Sequence, residues 1–257
     1  MSSKNFVPSA RAQSTKLSSV AAIVAAALLR GEGWLTPDEV ARLLSCYGLP
    51  FIEQRIVANG EEAGAAAEQI GGEVALKAIA SDLLHKTEAG AVRLHLTGAE
   101  TVRAAAREMH EVLSSRGHSP SGFVVQRMAH RGVEMLVGMV HDPQFGPVVA
   151  CGAGGVQVEL LRDVSVRITP LSKEDASDMI RELKTYPLLT GFRGSAATDV
   201  SALEEGLLRV SAIVEDIPQI AELDCNPFVV HETGATILDA RIRVATVAPP
   251  SLVGVRR

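Results

Sequence analysis

Strands and helices alternate along both halves of this sequence, which predicts an α/β (or α+β) protein built as two lobes. Three observations carry that reading. Thr36-Pro37-Asp38-Glu39 is a capping box with proline at the first helical position, so a helix must start there. Short β-rich runs recur between helical patterns from Phe51 to Ile168. The segments Ile220–Val230 and Thr236–Val244, separated by the turn residues His231 to Gly234, read as a closing β-hairpin.

Composition narrows the function classes. The chain has 257 residues, 47% of them hydrophobic and 21% charged, enough for one large domain or two lobes sharing a cleft. A net charge of −5, with no basic cluster interleaved with aromatics, argues against nucleic-acid binding. Cys46, Cys151 and Cys225 lie far apart without metal-ligand or redox spacing, so they read as reduced core thiols. The apolar run Val20 to Leu29 is too short for a membrane span, which needs about 20 residues. It follows basic residues as a secretory signal would, but it also suits an Ala-rich helix stopped by Gly31. The helix is the reading adopted, preceded by a Ser-rich mobile tail.

After that helix comes the one capped at Thr36, with Val40, Leu43, Leu44 and Tyr47 on its apolar face and Gly48 at its end. Phe51–Val57 reads as a strand, Glu61–Ile70 as a helix, and Val74–Ile79 and Ala91–Leu96 as strands. Val102, Ala105, Ala106, Met109 and Leu113 have helical spacing within Glu100–Leu113, and Phe123–Met128 closes the first lobe. In the second lobe Val133–Val140, Val148–Cys151, Val156–Leu161 and Val164–Ile168 are β-rich, and helices are expected around Lys173–Leu183 and Leu203–Val214.

Three segments can carry chemistry. In the hairpin, Glu222, Asp224 and Asn226 alternate with apolar residues and share a face, as do Asp239 and Arg241. A turn centred between Glu232 and Thr233 would set Asn226 opposite Asp239 and Asp224 opposite Arg241, unless Pro227 shifts the register. Two carboxylates and an amide oxygen suit Mg²⁺, which fills its shell with water and phosphate oxygens. A solvated face with a cross-strand ion pair is the plainer alternative, favoured on spacing alone. The second segment ends a strand in Gly152, Gly154 and Gly155, fitting either a phosphate or a tight hairpin. The third places Lys77 inside the apolar run Val74–Ile79, where an anion would offset its burial. His85 follows in a polar loop, where a surface role is the default.

Taken in order, Lys77 with His85-Lys86-Thr87, Asp142–Pro147, Gly152–Gly155, Leu189–Gly194, Asn226-Pro227 and Leu238–Arg241 resemble a known pattern. It is that of the ATP-grasp subunit or domain of ADP-forming acyl-CoA (acetyl-CoA) synthetases, relatives of the succinyl-CoA synthetase β subunit. The resemblance covers roughly residues 35 to 245. It implies an ATP-grasp fold with a nucleotide cleft between two lobes. The expected division is 1–35 as tail and N-terminal helix, 36–130 as the first lobe, 131–247 as the second with the metal-binding hairpin, and 248–257 as a C-terminal tail.

The resemblance also implies roles. Lys77 would contact the nucleotide phosphates, Gln126, Arg127 and Met128 would form the hinge beside adenine, and Glu134 would bind the ribose hydroxyls. Asn226 and Asp239 would ligate Mg²⁺ with support from Asp224, while Arg241 and Gly152, Gly154 and Gly155 would surround the phosphates of ATP or ADP. His85 would carry a phosphoryl group, which a neutral imidazole nitrogen is nucleophilic enough to accept. The implied partner is a CoA-binding ligase α subunit or domain in a hetero-oligomer, and the implied compartment is the cytoplasm, without membrane or nucleic-acid contacts. Two alternatives on the same fold are a regulatory domain attached to a protein lysine acetyltransferase and a stand-alone carboxylate–amine ligase. The second would have no need of the His85 segment.

Overall fold

The computed structural model describes residues 10–31, 33–80, 90–155 and 162–246. Its helices are α1 (Ala10–Leu29), α2 (Pro37–Cys46), α3 (Gly60–Ile70), α4 (Ala99–Ser115), α5 (Lys173–Arg181), α6 (Tyr186–Leu189) and α7 (Val200–Asp216). Its strands are β1 (Gly33–Trp34), β2 (Gln54–Val57), β3 (Glu73–Ile79), β4 (Val92–Thr97), β5 (Gly122–Arg127), β6 (Val133–Asp142), β7 (Gly146–Ala153), β8 (Val164–Ile168), β9 (Ile220–Val230), β10 (Ala235–Ile237) and β11 (Ala240–Val244). The expected strand Val156–Leu161 lies outside the described residues, as does the segment holding His85.

The chain divides into two compact units, Met1–Phe51 with Arg131–Arg257, and Ile52–His130. This corrects the expected first lobe, because residues 36–51 join the second-half unit instead. The reason is pairing and packing. β1 lies antiparallel to β11, Leu35 donates its amide to the Ile242 carbonyl at 2.8 Å, and Val40, Leu43 and Leu44 of α2 share one core with Ile242 and Val214. The N-terminal helix also starts well before Val20, and Val20, Ile23, Val24 and Ala27 bury one face of it in the same core. Thr36 and Glu39 make both halves of the expected capping box.

Among the described residues the larger unit holds a seven-stranded antiparallel sheet in the order β1-β11-β9-β6-β7-β8, with β10 also paired to β9. Alternation along the strands sends Met135, Val137, Met139, Val149, Cys151, Leu223, Cys225 and Ile242 into one core with α1, α2, α5 and α7. Among the described residues the helices of this unit therefore cover one face only. The opposite face carries Glu222, Asp224 and Asn226 of β9, all half-buried.

The smaller unit is a four-stranded antiparallel sheet in the order β2-β5-β3-β4. α3 and α4 pack on one face of it, where Val74, Leu76, Ala78, Phe123 and Val125 meet Ala63, Ala67, Val102, Met109 and Leu113. Lys77 pairs with Val124, and Ala75 pairs with Gln126, so Lys77 and Gln126 project from the face opposite that core.

Candidate functional site

The hairpin holds the register that its alternation and turn imply. Ala235 pairs with Val230 and Ile237 with Phe228, and beyond them Arg241 pairs with Asp224 and Ile242 with Leu223. Between these ladders the Leu238 amide donates to the Pro227 carbonyl at 3.0 Å and the Asn226 amide to the Asp239 carbonyl at 3.1 Å. Asn226 thus lies opposite Asp239, and Asp224 opposite Arg241. Pro227 does shift a register, but on its other side: the β6–β9 ladder slips between Met135 and Val137. Proline has no amide to donate, so an irregularity on that side accommodates it.

The hairpin is also held at its tip. The Asp199 carboxylate at the start of α7 accepts from the Gly234 amide at 2.9 Å and the Ala202 amide at 3.2 Å, and the Asp199 amide donates to the His231 carbonyl at 2.7 Å. His231 in turn lies within hydrogen-bond distance of the Arg131 carbonyl, at 3.1 Å, and of the Thr236 hydroxyl, at 3.1 Å.

Electrostatics single out Asp224. Burial raises its pKa to about 6, and the charges of Asp239 and Glu222 push the same way, against a lowering by Arg241. The arginine paired with it does not cancel that penalty, as it would in a simple structural ion pair. Among the described residues no group of three or more His, Cys, Asp or Glu forms a ready-made metal cage. The donors present are two mutually repelling carboxylates and an amide oxygen, all hard oxygen ligands. They fit Mg²⁺, which needs only one or two carboxylates when phosphates complete its shell, and a cation would relieve the repulsion.

The glycine segment reaches this face. The Gly155 amide donates to Asn226 Oδ1 at 3.3 Å, and the Gly154 amide donates to the Glu134 carbonyl at 2.8 Å. Gly155 has φ +61°, and a Cβ there would fall on the Glu134 carboxylate; at Gly154 a Cβ would lie 2.6 Å from the Met135 backbone. Gly154 is therefore required by the close approach of the β6 backbone, and Gly155 is favoured by its left-handed φ, whatever else they contact. Glu134 and Gly154 also border a concavity of about 340 Å³, together with Ala153, Thr185, Leu188 and Ser195. The last three were not singled out from the sequence. The only signal was their position flanking the Leu189–Gly194 region, already noted as a motif.

In the smaller unit Gln126 is buried and donates from Nε2 to Gln54 Oε1 at 3.2 Å. Arg127 is tied to Glu53 at 2.7 Å and donates to the Ile70 carbonyl at the end of α3 at 2.6 Å, so its side chain serves the fold of that unit. The Met128 amide donates to the Glu73 carbonyl at 3.0 Å. A second concavity, of about 520 Å³, borders Asn59, Arg103, Arg107, His110 and Phe123 and includes none of the candidate residues.

Two units built on antiparallel sheets, one carrying the Asn226–Asp239 hairpin with the glycine segment against it, match a known fold family. The chain belongs to the ATP-grasp family: the model of an ATP-grasp domain matches residues 26–244. It is 38% identical over 212 residues to the beta subunit of acetate–CoA ligase (ADP-forming) I of Pyrococcus furiosus, covering 81% of this chain and 90% of that one. It is 39% identical over 220 residues to the Archaeoglobus fulgidus acetate–CoA ligase (ADP-forming) I, covering 84% of this chain but 32% of that protein. A solved structure of acetyl-coenzyme A synthetase 1 from Ca. Korarchaeum cryptofilum is 39% identical, with TM-score 0.77, covering 88% of this chain and 100% of that one. That protein is in complex with coenzyme A and Mg-AMPPCP, its phosphohistidine segment pointing towards the nucleotide binding site. Among the described residues no helix is long and apolar enough to cross a membrane.

Proposed function

We propose that this chain is the nucleotide-binding subunit of an ADP-forming acyl-CoA synthetase, serving the reaction acyl-CoA + ADP + phosphate ⇌ acid + CoA + ATP. The observation that carries the reading is the hairpin, where Asn226 faces Asp239 and Asp224 is an ionisable group held at an electrostatic penalty. A site of that kind gains from a cation and is poorly explained as a solvated ion pair. The kinship with ADP-forming beta subunits supplies the reaction class.

In this reading Asn226 and Asp239 are the Mg²⁺ ligands and Asp224 supports them. Bound there, Mg²⁺ would neutralise and orient phosphate oxygens. Lys77 contacts the phosphates, and Arg241 and Gly152–Gly155 surround them. Gln126, Arg127 and Met128 flank the base, and Glu134 accepts hydrogen bonds from the ribose hydroxyls. His85 takes the phosphoryl group: its ring nitrogen forms a bond to phosphorus as the bond to the ADP oxygen breaks, and the reverse step makes ATP. A CoA-binding ligase subunit completes the reaction in a cytoplasmic hetero-oligomer, so the isolated chain binds nucleotide and makes no acyl-CoA.

Isothermal titration calorimetry tests the proposal. Mg·ADP should bind the wild-type chain, and Asp239→Ala should weaken that binding while circular dichroism stays native. Unchanged Mg·ADP affinity in a folded Asp239→Ala protein would remove the hairpin from the site.

A further inference from the structure

The exposed large apolar side chains are unevenly placed. Val140, Phe145, Val164, Val166 and Ile168 are each 45% to 60% exposed, and they gather on β6, β8 and the turn before β7. The strand registers align them. Ile168 pairs with Val148, Val148 with Val140, and Val140 with Glu222; alongside, Val166 pairs with Ala150, Ala150 with Gly138, and Gly138 with Asp224. Directly paired residues project from the same side of a sheet. The β6–β8 part of the face that the described helices leave uncovered is therefore an apolar strip that runs, row by row, into the carboxylates of β9.

The strip is fixed in place. On the other side of β8, Ser165 donates to Glu182 at 2.8 Å and Arg167 forms an ion pair with the same carboxylate, so Val164, Val166 and Ile168 must face outward. None of these outward positions of β8, the last strand of the sheet among the described residues, carries a charge. Contiguous exposed apolar surface of this kind marks a protein contact and is a liability when left bare.

We propose that this strip seats the CoA-binding ligase subunit, an inference that rests on the functional reading above. Two observations select that occupant. The matched region is 32% of the Archaeoglobus single-chain relative, whereas the Pyrococcus relative, matched over 90% of its length, is a separate beta subunit. The same ATP-grasp chain thus occurs joined to, or separate from, a larger remainder that must meet it. The strip is also continuous with the proposed metal face, so a subunit seated there lies beside the place from which a phosphoryl group departs.

The test is binding of the full chain to a purified probe, the alpha subunit of the Pyrococcus furiosus enzyme, by sedimentation velocity, with Mg·ADP calorimetry on the same samples. The wild type and Leu94→Asp, a substitution of an exposed apolar residue on β4, should bind the alpha subunit equally. The double variant Val166→Asp/Ile168→Asp should bind it at least roughly tenfold more weakly, a change of about 1.4 kcal/mol, while its Mg·ADP affinity is retained. Should that variant misfold, Val140→Gln with Phe145→Ser must show the same selective loss. Undiminished alpha-subunit binding by a folded strip variant overturns the inference, as does absence of binding by the wild type. A wild-type self-association abolished by the strip variant overturns it too, in favour of a second copy. Failure of the wild type to bind Mg·ADP would sink the functional reading itself, and is read separately.

Discussion

Replacing Asp224 by asparagine should stabilise the metal-free protein while weakening Mg·ADP binding. The carboxyl moves from an ordinary 3.8 to about 6 through burial and the nearby Asp239 charge. At about 1.4 kcal/mol for each tenfold change, that corresponds to about 3 kcal/mol against the ionised form above pH 6. Partial exposure screens the interaction, and the amide loses its attraction to Arg241, so a net gain of about 1–2 kcal/mol is expected for Asp224→Asn at pH 7.5. Because the folded-state pKa is raised, this residue's contribution to stability falls as pH climbs from about 4 to about 6, and the variant should lack that component of the slope. Urea denaturation at pH 4.5 and 7.5, with and without Mg·ADP, measures each part. The wild type should gain more stability from Mg·ADP than the variant does. A variant less stable than wild type in the absence of metal, with equal gain from Mg·ADP, would refute the reasoning and make Asp224–Arg241 a structural cross-strand pair.

Three further outcomes follow from other parts of the molecule. Asp163 is buried and accepts from the Lys184 amide at 2.9 Å and from the Thr185 amide and hydroxyl at 2.8 and 2.6 Å. Burial alone would raise its pKa, but those hydrogen bonds, with the Lys184 charge, hold it below the usual carboxylate range. Asp163→Ala should therefore cost about 2–4 kcal/mol in urea denaturation at pH 7. The contribution of the wild-type carboxylate should fade as pH falls below 4 through its depressed pKa, narrowing the difference. Lys77→Ala should weaken Mg·ADP binding by about 1.5–3 kcal/mol in calorimetry, as loss of a charged contact to phosphate requires. His85→Ala should leave Mg·ADP affinity intact yet abolish an acid-labile, base-stable label from Mg·ATP in the assembled enzyme, as read by mass spectrometry under alkaline conditions.

Local rules made much of this protein legible in advance. A capping box, an alternating run and a four-residue turn each operate within about ten residues, so α2 and the register of Asn226 against Asp239 could be read from the sequence. The apolar run around Lys77 already pointed to an anion partner, whereas only the family pattern lifted His85 above a surface histidine. What the sequence could not supply were decisions between segments far apart in the chain. That β1 and α2 belong with β11, so that residues 36–51 leave the first lobe, depended on which apolar faces meet in three dimensions. The side on which Pro227 disturbs its neighbours depended on β6 being the strand against it. The raised pKa of Asp224 required burial and the position of Asp239 together, and the apolar strip appeared only when β6, β7 and β8 lay side by side. Alternation fixes which residues share a face of one strand; only long-range packing determines which faces are covered, and hence which charges are destabilised and which apolar side chains are left for a partner.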